Sequence, residues 1–165
     1  MDAALESIPL HREPVSIAVL LGLAADVMHR QASALGVRLT VSIDEDVPPT
    51  VRLDRDKVAW AVTSLVGSAL RHAQGPGAEV DVHATWQHDS HLSVCVRDNG
   101  PGISPSQLHR LLLRDRWQPG TALALLMIED IATAHGGALR ITSRTNALDH
   151  FTSVCFTIDG RVPRH

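Results

Sequence analysis

The sequence predicts a two-layer α/β sandwich, with a mixed sheet covered by helices on one face. Two observations carry this. Nearly every strand-like run alternates apolar and polar residues, the pattern of a sheet buried on one side only. The periodic segments follow the order α-β-α-β-β-α-α-β-β, which suits helices layered on one sheet. A doubly wound parallel sheet would show continuous apolar strands instead. With 165 residues, the chain is long enough for one domain with a sizeable core.

The elements follow in order. Residues 1–14 read as a linker or tail, with Pro9 and Pro14 and no sustained period. "VSIAVLLGLAADVMHRQASALG" is a helix, in which Leu20, Leu23, Ala24, Val27 and Met28 follow helical spacing. Ser16 can cap its start and Gly36 can end it. "VRLTVSI" alternates, with Val37, Leu39, Val41 and Ile43 on one face, and "DVPPT" is a turn or loop. "DRDKVAWAVTSLVGSALRHA" is a second helix with a Val58, Val62, Leu65 and Ala69 stripe, stopped by "QGPG". A hairpin follows. Val80, Val82, Ala84 and Trp86 share a face, "QHDS" turns the chain, and Leu92, Val94 and Val96 share a face on the return. "SPSQLHRLLLRD" is a short helix and "TALALLMIEDIATAHGG" a longer one. "ALRITSR" and "FTSVCFTI" complete the sheet. The domain spans 15–160, and 161–165 is a C-terminal tail.

Composition removes several function classes. A net charge of -3 offers no electrostatic case for nucleic acid. The longest apolar run, "IAVLLGLAA", is too short to span a bilayer, and the N-terminus lacks a signal-peptide pattern. A cytoplasmic domain, or a cytoplasmic fragment of something larger, is expected. The 10 histidines are scattered and read as surface residues. Cys95 and Cys155 are too few for a disulfide scaffold and read as ordinary strand residues in a reducing compartment.

The stretch "VRDNGPGIS" raises the question of function. Side chains two apart on a strand share a face. Asp98 has the parity of Leu92, Val94 and Val96, and Thr152 that of Val154, Phe156 and Ile158, so both point into the helix layer if their strands persist. A carboxylate and a hydroxyl there require partners. "DNGPG" is also strong turn chemistry, so strand parity alone leaves a turn aspartate and a ligand aspartate equally open.

The motifs extend well beyond this loop. "DNGPGI" resembles the Asp-x-Gly-x-Gly box of the histidine kinase, gyrase, Hsp90 and MutL ATPases. "HGGALRITS" resembles the segment after that family's last helix, and "FTSVCFTI" its closing strand. Residues 12–73 are similar to the opening of histidine kinase catalytic domains. The resemblance implies a Bergerat-type ATP-binding fold. It implies that Asp98 accepts a hydrogen bond from the exocyclic amine of adenine and that Thr152 holds a shared water. Gly100 and Gly102 would let the backbone approach the base.

On the phosphate side the chain departs from the family. Two Asn residues four apart usually face the triphosphate and magnesium, and Ser64 and Ser68 stand there. Arg71 occupies the place of a phosphate-binding cation. It reads equally as a solvated helix charge, just as the serines read as small packing residues. The second glycine box is "GTALAL": Gly120 and Thr121 remain, while Ala122 and Ala124 replace glycines. Trp117 is the one aromatic in the short lid. Ser64 also replaces the Glu base of gyrase-type members, so hydrolysis by that route is not expected. "HREP" is no phosphoacceptor motif, because Pro14 stands too close to His11 for a helix.

The resemblance therefore implies the catalytic domain of a two-component sensor histidine kinase, using ATP and Mg²⁺. Its partners would be dimerisation helices bearing the phosphoacceptor histidine, and a response regulator. The altered phosphate side keeps open a degenerate, non-catalytic interaction module. An anti-sigma-factor serine kinase of the same fold fits the opening helix and strand less well.

Overall fold

A computed structural model of the chain describes residues 8–73, 75–112 and 121–161. The elements run β1 (Glu13–Ser16), α1 (Ile17–Leu35), β2 (Arg38–Ile43), β3 (Thr50–Leu53), α2 (Arg55–His72), β4 (Glu79–Trp86), β5 (His91–Asp98), α3 (Pro105–Leu112), α4 (Thr121–Ala134), β6 (Leu139–Asn146) and β7 (Asp149–Asp159). Five strands form a mixed sheet in the order β2-β4-β5-β7-β6. β2 and β4 are parallel, and the other pairs are antiparallel.

Alternation puts the core on one face. Val80, Val82, Ala84, Leu92, Val94, Val96, Phe156 and Ile158 are all buried, beneath α1, α2 and α4. The opposite face carries Thr40, Asp81, His83, Arg97 and Thr157. Fully burying one aliphatic side chain of this kind stabilises the fold by roughly 1.5–3 kcal/mol.

The helix ends are specified locally. Ser16 caps α1 by accepting from Val19 N–H at 3.3 Å, and Gly36 ends it in the left-handed region at φ +68°. Asp54 caps α2 through Lys57 N–H at 3.1 Å. α3 begins with a reciprocal capping box. Ser104 Oγ accepts from Gln107 N–H at 3.3 Å, and Gln107 Oε1 accepts from Ser104 N–H at 3.1 Å. Along α2, Val58, Val62, Leu65 and Ala69 are buried, as their spacing predicts.

Several features differ from the sequence reading. β1 and β3 form a separate two-stranded ladder, pairing Glu13 with Leu53 and Ser16 with Thr50. Each is four residues long, too short to show a period, and they meet across α1 and β2. β1 thus opens at Glu13, within the stretch read as a linker, and His11 N–H also donates to Asp54 at 2.9 Å. On α1 the buried face is Ile17, Leu20, Leu21 and Ala24, whereas Leu23 and Val27 are 60% and 70% exposed. In that apolar segment residues of every phase are hydrophobic, so spacing does not select the inner face.

The histidines are not uniformly superficial. His135 is fully buried just beyond α4. Its Nδ1–H donates to the Ile131 carbonyl at 2.8 Å, and its Nε2 accepts from Asp54 N–H at 3.1 Å. The ring joins the end of α4 to the start of α2, and burial holds its pKa below the ordinary value. The cysteines also differ from expectation. Cys95 and Cys155 stand directly opposite in the β5–β7 ladder and are disulfide-bonded. They are 60 residues apart, and only strand order and register make them neighbours.

Candidate functional site

The ends of β5 and β7 build one wall of a small cavity. Asp98 pairs in register with Thr152, and both are buried. Strand alternation therefore persists to Asp98, the last residue of β5. α2 contributes Ser64, Leu65, Ser68, Ala69 and His72 to the lining, and α4 contributes Ala124, Leu125 and Ile128. Val96, Ile103, Ile141 and Val154 make the floor and rim apolar. The enclosed space is only about 30 Å³.

Asp98 is held at one oxygen. Its Oδ1 accepts from Gly100 N–H at 2.9 Å, while Oδ2 makes no hydrogen bond among the described residues. Burial pushes the carboxyl pKa above its ordinary 3.8, and the Gly100 N–H and nearby His72 oppose that shift only in part. The carboxylate is a desolvated acceptor with spare capacity on a mostly apolar wall.

The loop after Asp98 leaves no room for side chains at its glycines. A Cβ on Gly100 would lie 2.6 Å from the His72 carbonyl oxygen and 2.8 Å from Asp98 Oδ1. Gly102 has φ +82°, and a Cβ there would collide with the Arg144 carbonyl. Asn99 ties the outer side of the loop to the start of β4, accepting from Glu79 N–H at 2.8 Å and donating to the Gly77 carbonyl at 2.9 Å.

Three polar neighbours of Asp98, its loop and Thr152 escaped the sequence reading. Ser143 Oγ donates to the Phe151 carbonyl at 2.9 Å and accepts from Ile103 N–H at 2.6 Å. Its one proton is thereby committed, so at 3.1 Å the Thr152 hydroxyl donates to it and keeps its lone pairs free. Parity with Leu139 and Ile141 could have marked Ser143 as inward. His150 Nδ1–H donates to the buried Gly100 carbonyl at 2.6 Å, crossing 50 residues of sequence. His72 lines the cavity beside Asp98 from the end of α2. No local signal identifies the last two, because each depends on how separate elements pack.

The phosphate-side residues divide differently. Ser64 and Ser68 face the cavity from one turn of α2. Arg71 is exposed and is not among the lining residues; its guanidinium passes near Gly67. Ala122 and Ala124 lie inside α4, and Ser90 is the one non-glycine residue with positive φ among those described. Both alanines are thus helical, which favours the helix by about 1 kcal/mol each over glycine. Thr121 is the first residue of α4. Gly120 and Trp117 lie outside the described residues.

The model of the family described as histidine kinase-, DNA gyrase B-, and HSP90-like ATPase matches residues 53–161, more than half of the chain. The chain belongs to this family. This ATPase domain is 29% identical over 129 residues to the signal transduction histidine-protein kinase/phosphatase MprB of Mycobacterium ulcerans (strain Agy99), a match covering 67% of this chain and 25% of that protein. The domain thus spans about a quarter of that relative's length. A solved structure of mycobacterial sensor histidine kinase MprB superposes with a TM-score of 0.74 at 26% identity, covering 92% of this chain and 99% of that one. Full-length ShkA in complex with AMPPNP gives a TM-score of 0.83 at 20% identity, over 98% of this chain and 34% of that one, a likeness of fold. The domain is of the ATP-binding catalytic type found in sensor histidine kinases. Among the described residues no helix is long and apolar enough to cross a membrane.

Proposed function

We propose that this domain binds ATP and presents its γ-phosphoryl group to a histidine on dimerisation helices outside the chain, from which a response regulator takes it. The observation that carries the reading is Asp98: a buried carboxylate, bonded at one oxygen only, opposite a buried threonine on a mostly apolar wall. An adenine offers an apolar ring face and an exocyclic N–H donor, which match that wall and the free Oδ2. Thr152, with its proton directed to Ser143, can accept from a water shared with Asp98. Gly100 and Gly102 shape the loop beside the base. The functional unit takes in every element from β1, which opens at Glu13, to the end of β7 at Asp159. The reading locates it in the cytoplasm, where ATP is supplied.

The phosphates would lie toward Ser64 and Ser68, with Arg71, Gly120 and Thr121 at their periphery. Ser64 and Ser68 are neutral, short donors. Mg²⁺ wants six oxygens at about 2.0–2.1 Å, commonly from carboxylates, phosphates and water. The described residues contain no group of three or more His, Cys, Asp or Glu side chains able to hold a metal ion. The protein residues alone do not complete a magnesium site, so the nucleotide's phosphates and water would have to supply most of the oxygens. Positioning and charge stabilisation supply most of the catalysis in phosphoryl transfer generally.

The cavity of about 30 Å³ is far below the roughly 300–1,000 Å³ of ligand pockets. A base needs a wider space than the one this structure shows between α2, α4 and the sheet. Calorimetric titration with ATP and ADP, with and without Mg²⁺, tests the reading against Asp98→Ala. Binding of ATP that strengthens with Mg²⁺ and disappears in the variant is expected. Absence of wild-type binding would refute the nucleotide assignment. Equal, magnesium-blind binding of ATP and ADP would refute the catalytic half of the proposal and support a non-catalytic module.

A further inference from the structure

We infer that Cys95 and Cys155 are a reversible thiol–disulfide site, which exchanges with low-molecular-weight disulfides and staples together the two strands that carry Asp98 and Thr152. The two side chains are opposite one another in the β5–β7 ladder, three rungs from the Asp98–Thr152 pair. They are the two cysteines of the chain, so no other internal thiol competes. Cys95 alternates with Val94 and Val96, which face the helices, so the sulfur pair lies on the open side of the sheet. Both residues are partly exposed rather than sealed in the core. A small thiol can therefore approach without opening the nucleotide cavity. Ser93 Oγ lies 3.8 Å from Cys95 Sγ, and Ser153 Oγ 3.7 Å from Cys155 Sγ, weak polar neighbours for sulfur.

Reversibility rests on the domain being a cytoplasmic, ATP-using one. Disulfides in reducing compartments are rarely permanent staples and usually respond to redox state. In the forward step a thiolate of the pair attacks one sulfur of the small disulfide and releases one small thiolate. The second cysteine thiolate then attacks the mixed disulfide, forming the Cys95–Cys155 bond and releasing the second small thiolate. The protein dithiol loses two electrons and two protons, and the small disulfide becomes two thiols. Excess small thiol reverses both steps. Closing a loop across 60 residues restricts the unfolded chain, so the oxidised domain is the more heat-resistant form.

The test equilibrates the full chain in glutathione buffers of graded oxidised-to-reduced ratio and blocks free thiols with an alkylating agent. Intact mass then counts the blocked groups. One transition from two free thiols to none is expected. Oxidation should raise the melting temperature by about 5–15 °C. That rise should vanish in Cys155→Ser, and in Cys95→Ser as a second check. Two free thiols at every ratio would overturn the proposal. So would a bond that survives excess dithiothreitol in the native state, which would mark a fixed staple. ADP titration of the same wild-type samples separates the readings: failure to bind in either redox state refutes the nucleotide reading, while the thiol count still decides the exchange chemistry.

Discussion

Replacing Asp98 by asparagine should weaken nucleotide binding while leaving the empty fold as stable or more so. The side chain is 3% exposed, and its Oδ1 accepts from Gly100 N–H at 2.9 Å. Asparagine keeps that acceptor and nearly the same volume. Its Nδ2 replaces Oδ2 and sets a donor against the exocyclic amine of adenine. Losing one hydrogen bond to a charged acceptor costs about 1.5–3 kcal/mol, which is roughly a 10–150-fold rise in Kd. Stability should move the other way. Burial raises the Asp98 pKa above 3.8, so its favourable contribution is present at low pH and is lost as pH rises through the raised value. Wherever the buried carboxyl is ionised, the wild type carries a desolvation penalty that the amide does not. The advantage of the variant should shrink as pH falls toward 4. Calorimetric ADP titration and thermal unfolding between pH 4.5 and 8 measure both effects. Unchanged ADP affinity would refute the ligand role. A fall of several degrees at pH 7 would refute the claim that the charge is an uncompensated burden.

Further outcomes follow from the same geometry. His150→Ala removes the partner of the buried Gly100 carbonyl and should weaken ADP binding by about 3–10-fold, as expected for roughly 1 kcal/mol. Asparagine at 150 offers an N–H near the same place and should restore most of that affinity in parallel titrations. Gly102→Ala should destabilise the fold by at least 1–2 kcal/mol in urea unfolding, because alanine at φ +82° is strained even before it meets the Arg144 carbonyl. His135→Ala should destabilise by about 2–4 kcal/mol, through a cavity and an orphaned Asp54 N–H, as chemical denaturation would show. His135 also predicts acid sensitivity. Its folded pKa is depressed by burial, so its contribution is full above 6.5 and is lost as pH falls below that value, where the unfolded chain gains the proton first. Unfolding free energies measured across pH 5–8 should show this slope in the wild type and a flatter one in the variant.

Much of the site was legible because strand alternation is a local code. The inward directions of Asp98 and Thr152 follow from parity with apolar neighbours two and four positions away, and both are buried as expected. Ser16, Gly36 and the α2 stripe were readable for the same reason: caps and helical periods involve residues within a few positions. The fold class followed from element order and one-sided strands. What remained hidden depends on residues that meet across long stretches of chain. Strand order alone brings Cys95 to Cys155, and hairpin docking alone brings His150 to Gly100. Packing of α4 on α2 buries His135, and the approach of α4 to the sheet leaves only about 30 Å³ beside Asp98. Arg71 illustrates the limit from the other side: its position on α2 was legible, but its long side chain lies outside the cavity lining. Local sequence sets the direction in which a backbone offers a side chain. Register and packing, which are settled only when distant elements compete for the same apolar surface, decide what that side chain meets.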